Sequence, residues 1–468
     1  MNTLSIRNPR TGVQDFSLEV FDADKVEFIV AELRQNQSAW FLMGVEKRVA
    51  HLALFAQALT DNKQALVDAL VADTGRYTES VLEVDVTISG IQRWCKQAPE
   101  LFTQQSERQA EIPFLNIKQS QLPYQCVGVI SPWNFPLLLS LVDAIPALLA
   151  GCSIILKPSE VTSRFVKPFI AALNKVPALR QVFSVVTGAG ETGQTLINNV
   201  DSICFTGSVA TGRKVGESCA KRFIPAFLEL GGKDPAIVCG DANVDMAAKA
   251  LCWGSMVNAG QSCMSIERVY VHQDIADEFK QKLTANVAQL KHNYPDLQQG
   301  QVGPIISDKQ VAIVKAQLAD AKAKGATFLC GGEVLELGGG HYCQPTLITD
   351  VTPDMLVVKE ETFAAVLPIF VVASDEEGVQ RANDSIYGLS AAVFSENIQN
   401  AEMIASQLEA GAISINDASL TALVHEIEKQ SFKYSGLGGS RMGKDSINRF
   451  VRKKAFIRNS GVDSPWWF

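Results

Sequence analysis

One cysteine is placed as a nucleophile would be. Cys263 lies in Asn258-Ala259-Gly260-Gln261-Ser262-Cys263-Met264-Ser265, a short loop of small and amide residues. An apolar, helix-like run (Met246 to Val257) precedes it and a strand-like run (Ile266 to Val271) follows. Such a connection leaves the sulfur uncrowded among backbone amides, although a buried, inert thiol is the commoner fate of a single Cys. Thirty-four positions upstream, Glu229 ends an apolar run and meets two glycines in Phe227-Leu228-Glu229-Leu230-Gly231-Gly232-Lys233-Asp234. A carboxylate at a buried strand end is partly desolvated, which raises its pKa toward the range of a general base. The plainer reading is an acid that bonds its own turn. The third group is Asn134, in Ser131-Pro132-Trp133-Asn134-Phe135-Pro136. Two prolines and two aromatics stiffen that backbone. A fixed amide N–H there is either an oxyanion donor or the satisfied polar group of a Pro-rich turn.

These segments resemble the aldehyde dehydrogenase superfamily, in its NAD(P)-dependent, non-acylating form. The matching pieces, in chain order, are Pro132-Trp133-Asn134-Phe135-Pro136, Leu156-Lys157-Pro158-Ser159-Glu160 and Phe205-Thr206-Gly207-Ser208. Then come Glu229-Leu230-Gly231-Gly232-Lys233, Gly260-Gln261-Ser262-Cys263 and Glu360-Glu361-Thr362-Phe363. The resemblance implies that Cys263 attacks an aldehyde, with the oxyanion held by the Asn134 amide and the Cys263 N–H. Oxidation by NAD, with NADP as the lesser alternative, then gives a thioester. Glu229 activates the water that hydrolyses it. Three alternatives remain at this stage: transfer of the acyl group to CoA, a non-redox thioesterase, and a structural relative without turnover.

Two glycine loops compete for a cofactor phosphate. Gly188-Ala189-Gly190-Glu191-Thr192-Gly193 fits GxGxxG, but the acid expected some 20 residues on is missing, because Asp201 comes too soon. Thr206-Gly207-Ser208-Val209-Ala210-Thr211-Gly212 also follows a strand and opens a helix, whose unpaired N–H groups suit a phosphate. The resemblance places the pyrophosphate at the second loop (Gly207, Ser208, Gly212) and Gly190 nearer the adenine. It also places Lys157 and Glu160 at the adenosine ribose, and Glu361 and Phe363 at the nicotinamide ribose and ring. Ser131, Pro132, Trp133, Phe205 and Leu230 are further implied cofactor contacts. A carboxylate such as Glu160 accepts from ribose hydroxyls and repels a 2′-phosphate, which favours NAD. As bare residues, Glu361 reads as a solvated acid, Phe363 as a core aromatic and Lys157 to Glu160 as a solvated turn. Ala364-Ala365 stands where the family usually has Gly-Pro.

The alternation of strands and helices from 127 to 230 (strands at Val127–Ile130, Ser153–Leu156, Val182–Val186, Ser202–Phe205 and Ile224–Leu228) predicts a doubly wound parallel sheet. A second such stretch follows at 231 to 430. The expected fold is α/β: a Rossmann-like cofactor domain (1–110 and 127–230), a catalytic domain (231–430) and a small oligomerisation element (111–126 and 445–468). Residues 1 to 110 read as helical packing, with helices over Trp40–Leu59, Lys63–Val71 and Tyr77–Trp94, and no chemistry of their own. The resemblance implies that the ribbon at 111–126 pairs with a partner subunit in a homodimer or homotetramer. The C-terminal stretch departs most from the family. Its lysine motif runs Gln430-Ser431-Phe432-Lys433-Tyr434-Ser435-Gly436-Leu437-Gly438, and its end is Ser464-Pro465-Trp466-Trp467-Phe468.

Composition narrows the partners. A chain of 468 residues with net charge −8 carries no basic stripe for nucleic acid or an anionic membrane. Ten Cys without a CxxC pair and five His without HExxH point to free thiols in a reducing, cytoplasmic setting and to no zinc site. The apolar run Leu137 to Leu156 is interrupted by Asp143, Pro146 and Gly151, so it reads as a core helix feeding a strand rather than a membrane span. Trp133, Phe135 and Met264 suggest an apolar mouth for an aliphatic or aromatic aldehyde.

Overall fold

The computed structural model describes residues 3–102 and 106–461. The aromatic end from Ser464 to Phe468 lies outside them. The chain opens with a hairpin, β1 (Thr3–Arg7) and β2 (Gln14–Glu19), and continues through α1 (Ala23–Leu42), α2 (Val45–Asp61), α3 (Lys63–Thr74) and α4 (Thr78–Leu101). The helix expected over Trp40–Leu59 is two helices. Gly44 at φ 88 separates them, a conformation that stops one helix and lets the next leave at an angle. The sequence reading also passed over the hairpin.

Next come β3 (Arg108–Gln109) and β4 (Leu115–Pro123). The first large sheet is then built from β5 (Cys126–Ile130), α5 (Leu138–Ala150), β6 (Ser153–Lys157), α6 (Val166–Leu173), α7 (Pro177–Arg180), β7 (Phe183–Val185), α8 (Gly190–Asn199), β8 (Ser202–Thr206), α9 (Val209–Lys221) and β9 (Ala226–Glu229). β5, β6, β7, β8 and β9 pair in parallel, in the order β9-β8-β5-β6-β7. The expected strands and helices all appear, with ends moved by a residue or a few. The run from Leu137 is the core helix α5, and no described helix is long and apolar enough to cross a membrane.

The second sheet starts with β10 (Asp234–Val238), which was not among the expected strands. It continues through α10 (Val244–Met256), β11 (Ile266–His272), α11 (Ala276–Val287), α12 (Asp308–Ala323), β12 (Thr327–Cys330), the hairpin β13 (Val334–Leu337) and β14 (Gly340–Cys343), and β15 (Thr346–Thr349). α13 (Leu356–Lys359), β16 (Val366–Val372), α14 (Asp375–Asn383), β17 (Ser390–Phe394), α15 (Ile398–Gln407) and β18 (Ala412–Ile415) complete it. Its order is β12-β15-β16-β11-β10-β17-β18, parallel except where β12 meets β15. The chain then returns to the first sheet: β19 (Gly436–Leu437) runs antiparallel to β9, with Gly436 opposite Glu229. Finally β20 (Val451–Asn459) pairs antiparallel with β4 in a ribbon whose outer residues are largely exposed.

A buried acid ties this return to the core. Asp143 on α5 is 1% exposed and accepts from Arg441 and Arg449, each at 2.8 Å. Burial works against its charge, but the two guanidiniums outweigh burial and hold its carboxyl below the ordinary value. Arg441 also donates to Thr206 Oγ1 at the end of β8, 2.5 Å away. Asp143→Ala would strand two buried cations, so a loss of about 3–5 kcal/mol is expected in urea unfolding. A change below about 0.5 kcal/mol would mean that the arginines find other partners.

Candidate active site

The loop before Cys263 is wound the wrong way for ordinary residues. Asn258 and Ala259 sit at φ 55 and 54, and Gly260 follows at φ 71. Two left-handed non-glycine residues in a row cost on the order of 1–3 kcal/mol each and persist only when their surroundings hold them. The holding is visible. Asn258 Nδ2 donates to the Gln261 carbonyl at 2.8 Å, and the Gln261 side chain donates to the carbonyls of Asn258 (3.2 Å) and Pro304 (3.1 Å). Gln261 Oε1 accepts from Ile306 N–H at 2.9 Å. The Asn258 carbonyl oxygen of the side chain accepts from Arg76. Arg76 is in turn paired with the buried Glu83 at 3.0 Å and stacked on the Phe135 ring, 4.4 Å from its centroid.

Arg76 and Glu83 lie in the region expected to be packing alone. Glu83 also accepts from Leu137 N–H (2.8 Å) and Leu138 N–H (3.1 Å), which fixes the turn that carries Asn134. Asn134 is 3% exposed and donates through Nδ2 to the Gln261 carbonyl at 3.1 Å. The proposed oxyanion donor therefore belongs to the same network as the cysteine loop. The apolar mouth needs correcting at Phe135, whose ring face is taken by the Arg76 guanidinium, and at Met264, whose sulfur is contacted by Thr421 Oγ1 at 3.0 Å. Trp133 meets the Phe363 ring edge to face at 5.2 Å.

Glycines let the remaining segments converge. A Cβ on Gly232 would lie 2.4 Å from the Cys263 carbonyl oxygen, and one on Gly231 would lie 2.7 Å from the Glu361 carboxylate. A Cβ on Gly260 would fall 2.2 Å from the Ala364 carbonyl oxygen. The turn after Glu229, the nucleophile loop and the segment 361–365 thus touch through backbone. Lys233, fully buried, donates to Glu267 (2.6 Å) and Thr362 (2.8 Å), while Glu267 accepts from Thr362 N–H (2.7 Å) and Phe363 N–H (2.8 Å). Phe363 is itself left-handed at φ 51. Neither Glu361 nor Phe363 fits its bare-residue reading. Glu361 is half-buried with its Oε1 accepting from Gly232 N–H at 3.0 Å, and burial, reinforced by Glu267, pushes its carboxyl up to about 8.

Glu229 ends β9 with its Oε2 accepting from Ser431 Oγ at 3.2 Å and facing Lys429 Nζ at 3.4 Å. Sequence reading missed Lys429, which lies just outside the quoted motif. Cys263 is half-buried, and burial pushes its thiol up to about 12. The Lys429 cation works downward on it, while Glu361, Asp234 and Glu229 work upward.

The implied cofactor residues line the strand ends of the first sheet. Ser131 is buried, bonded to Ser140, and follows β5 together with Pro132. Lys157 is not part of a solvated turn: it is 4% exposed, with Nζ 3.2 Å from the Pro158 carbonyl and 3.3 Å from Glu160. Burial lowers its pKa and Glu160 partly restores it. Ser208 caps α9 by accepting from Thr211 N–H at 3.3 Å, and the Phe205 ring lies over Gly207. Gly212 lets the buried Leu230 side chain approach α9. Gly190 begins α8 facing open space.

Comparison with known proteins decides the family. The Aldehyde dehydrogenase family model matches residues 1–456. The chain belongs to the aldehyde dehydrogenase family. It is a nicotinamide-dependent oxidoreductase acting on aldehydes. It is 35% identical over 461 residues (97% of this chain, 89% of the relative) to the Putative succinate-semialdehyde dehydrogenase [NADP(+)] of Mycolicibacterium smegmatis. It is 34% identical over 480 residues (100% and 95%) to the chloroplastic betaine aldehyde dehydrogenase of Amaranthus hypochondriacus. Among solved structures, the Putative Aldehyde Dehydrogenase PutA of Anabaena variabilis superposes with a TM-score of 0.98 at 51% identity, covering 100% of both chains.

Glu361 provides a test of this site. Its raised carboxyl stabilises the fold below its ordinary value of 4.5, and that contribution is lost as pH rises through about 8. Glu361→Gln keeps an acceptor for Gly232 N–H and cannot ionise. The stability of this variant relative to the parent should therefore climb between pH 4.5 and about 8 and then level off, as read by urea unfolding at each pH. A flat difference would show that the carboxyl is ionised throughout.

Proposed function

We propose that this aldehyde dehydrogenase oxidises its substrate to a carboxylate through covalent capture by Cys263. The observation that carries the reading is the convergence of Cys263, Asn134 and the turn after Glu229 on one backbone cluster, held by Gly231, Gly232 and Gly260. The Cys263 thiolate adds to the aldehyde carbon to give a thiohemiacetal. One Asn134 amide proton already serves the Gln261 carbonyl, and the second is available, with the Cys263 N–H, for the developing oxyanion. Glu229 takes a proton from water, the resulting hydroxide attacks the thioester carbon, and the C–S bond breaks to return the Cys263 thiolate.

The first sheet fits a dinucleotide. The buried Lys157 ammonium makes only long bonds, at 3.2 and 3.3 Å, and Glu160 keeps a 44% exposed side chain that can accept from ribose hydroxyls. The N-terminus of α9 behind Gly207 suits the pyrophosphate. Glu361, Phe363 and Trp133 would face the nicotinamide end. When bound, the nicotinamide ring supplies the hydride acceptor. Glu160 favours NAD, because its charge opposes a 2′-phosphate. A Staphylococcus aureus betaine aldehyde dehydrogenase solved with NAD+ is 29% identical with a TM-score of 0.94, covering 100% of this chain and 93% of its own.

The exposed ribbon formed by β4 and β20, with Phe456 49% and Ile457 69% exposed, is the surface proposed to join subunits into a homodimer or homotetramer. A two-domain division near residue 230 follows where the chain passes from β9 to β10, with the cleft between them as the reaction site.

The test mixes enzyme, NAD or NADP and a panel of carboxylated, quaternary-ammonium and neutral aldehydes, with and without CoA. NADH formation without CoA is expected. It should vanish in Cys263→Ala, and in Glu229→Gln it should stall after one equivalent per site. Turnover only with CoA, or full activity in Cys263→Ala, would overturn the reading. Glu160→Ala should narrow the preference for NAD over NADP by about tenfold, the effect of removing one close like charge.

A further inference from the structure

The strip Lys429–Ser431 belongs to neither glycine turn and to no element of either sheet, yet it delivers two donors to one carboxylate oxygen. Lys429 has a side chain 7% exposed, with Nζ 3.4 Å from Glu229 Oε2, and Ser431 Oγ donates to the same oxygen at 3.2 Å. The strip is pinned on both sides. Lys429 N–H donates to Ser440 Oγ at 3.0 Å, Leu230 N–H donates to the Ser435 carbonyl at 2.8 Å, and Gly436 pairs with Glu229 itself. Ser435 Oγ in turn donates to the Gly231 carbonyl at 2.7 Å and accepts from Gly388 N–H at 2.9 Å.

We propose that Lys429, assisted by Ser431, is a positioning residue that seats the Glu229 carboxylate by its Oε2 and balances charge between Glu229 and Cys263 during thioester hydrolysis. This rests on the function proposed above. With Oε2 held, Oε1 is the oxygen that receives the proton of water. As that proton arrives, Glu229 loses its negative charge. As the C–S bond breaks, the electron pair goes to Cys263 Sγ. The negative charge therefore moves from one partner of the Lys429 ammonium to another, and the cation is balanced at the start and at the end. The groups that surround Cys263 support this accounting. Asp234 on β10, Glu361 before β16 and Glu229 on β9 all oppose a thiolate, whereas Lys429 favours it.

Full-length Lys429→Met, Lys429→Arg and Ser431→Ala enzymes test the proposal. The first readout needs no aldehyde: the rate of Cys263 alkylation by iodoacetamide at one fixed, mildly alkaline pH, followed by mass spectrometry of the Cys263 peptide. In Lys429→Met that rate should fall about tenfold, and Lys429→Arg should recover most of it. A lysine that only supports the fold would lower the melting temperature and leave the alkylation rate unmoved. The second readout is the NADH time course. Ser431→Ala should keep the burst and lose about tenfold in the steady-state rate, with little change in KM, and Lys429→Met should lose at least as much in the steady state.

A folded Lys429→Met enzyme with the parent alkylation rate and steady-state rate would overturn the proposal. If Lys429→Met does not fold, an unchanged steady-state rate in Ser431→Ala overturns the seating role. A wild-type enzyme inert toward every aldehyde would remove the proposed function, and the alkylation rates would still decide whether Lys429 governs the thiol.

Discussion

A buried guanidinium joins the three segments on which the site depends. Arg76 reaches Glu83 with one nitrogen and Asn258 with another, and lays its plane on Phe135. Its Nε has no hydrogen-bond partner among the described residues, and the aromatic face is what meets the cation there. Glu83 completes the arrangement by accepting from the two N–H groups that open α5. Such a pair adds little to stability compared with a hydrophobic filling, because both charges are desolvated. What it does here is geometric. Breaking it on one side would leave a lone charge in the core, at about 3–5 kcal/mol, so the nucleophile loop and the oxyanion donor are held in one register.

The second constraint is closeness of backbone. Loops from three parts of the chain approach until a single methyl group at Gly231, Gly232 or Gly260 would collide with a carbonyl or a carboxylate. Gly260 needs its freedom twice over, for its φ of 71 and for the Ala364 carbonyl. The contact also explains why Ala364-Ala365 works in place of the family's usual Gly-Pro. The loop is pressed against Gly260 on one side, and Glu267 accepts from its Thr362 and Phe363 N–H groups on the other. A small side chain suffices once the backbone is pinned at both ends.

The parallel sheets were legible in the sequence because buried strands and amphipathic helices alternate with periods that no loop imitates. Cys263, Glu229 and Asn134 were legible because each sits beside glycine or proline at the end of an apolar run. Arg76 and Glu83 were not. A charge in a helical pattern reads as solvated, and only the tertiary partner shows that it is inside. The same holds for Lys429, whose partner lies two hundred residues upstream, and for the burial of Lys157, whose motif marked the residue but read as a solvated turn. The break at Gly44 and the strand at Asp234–Val238 were missed for a local reason: a single glycine inside a helical run carries little weight against its neighbours, and a proline at a strand start argues against a strand.

These buried cations divide the work. Arg76 is locked by geometry, with a carboxylate, an amide and an aromatic face in fixed places, and moving it would unmake the loop. Lys429 is a point charge at a longer distance, 3.4 Å, with a single carboxylate oxygen before it. A guanidinium fork suits a scaffold, since its planar donors lose little freedom per bond, whereas an ammonium tolerates a change of partner without a change of orientation. Burial pushes the Cys263 thiol up, so the charges around it decide how readily the reactive thiolate forms. Of the groups that act on Cys263, three acids work against the thiolate and the lysine works for it. The scaffold therefore rests on arginine, and the part of the site where charge must move rests on lysine.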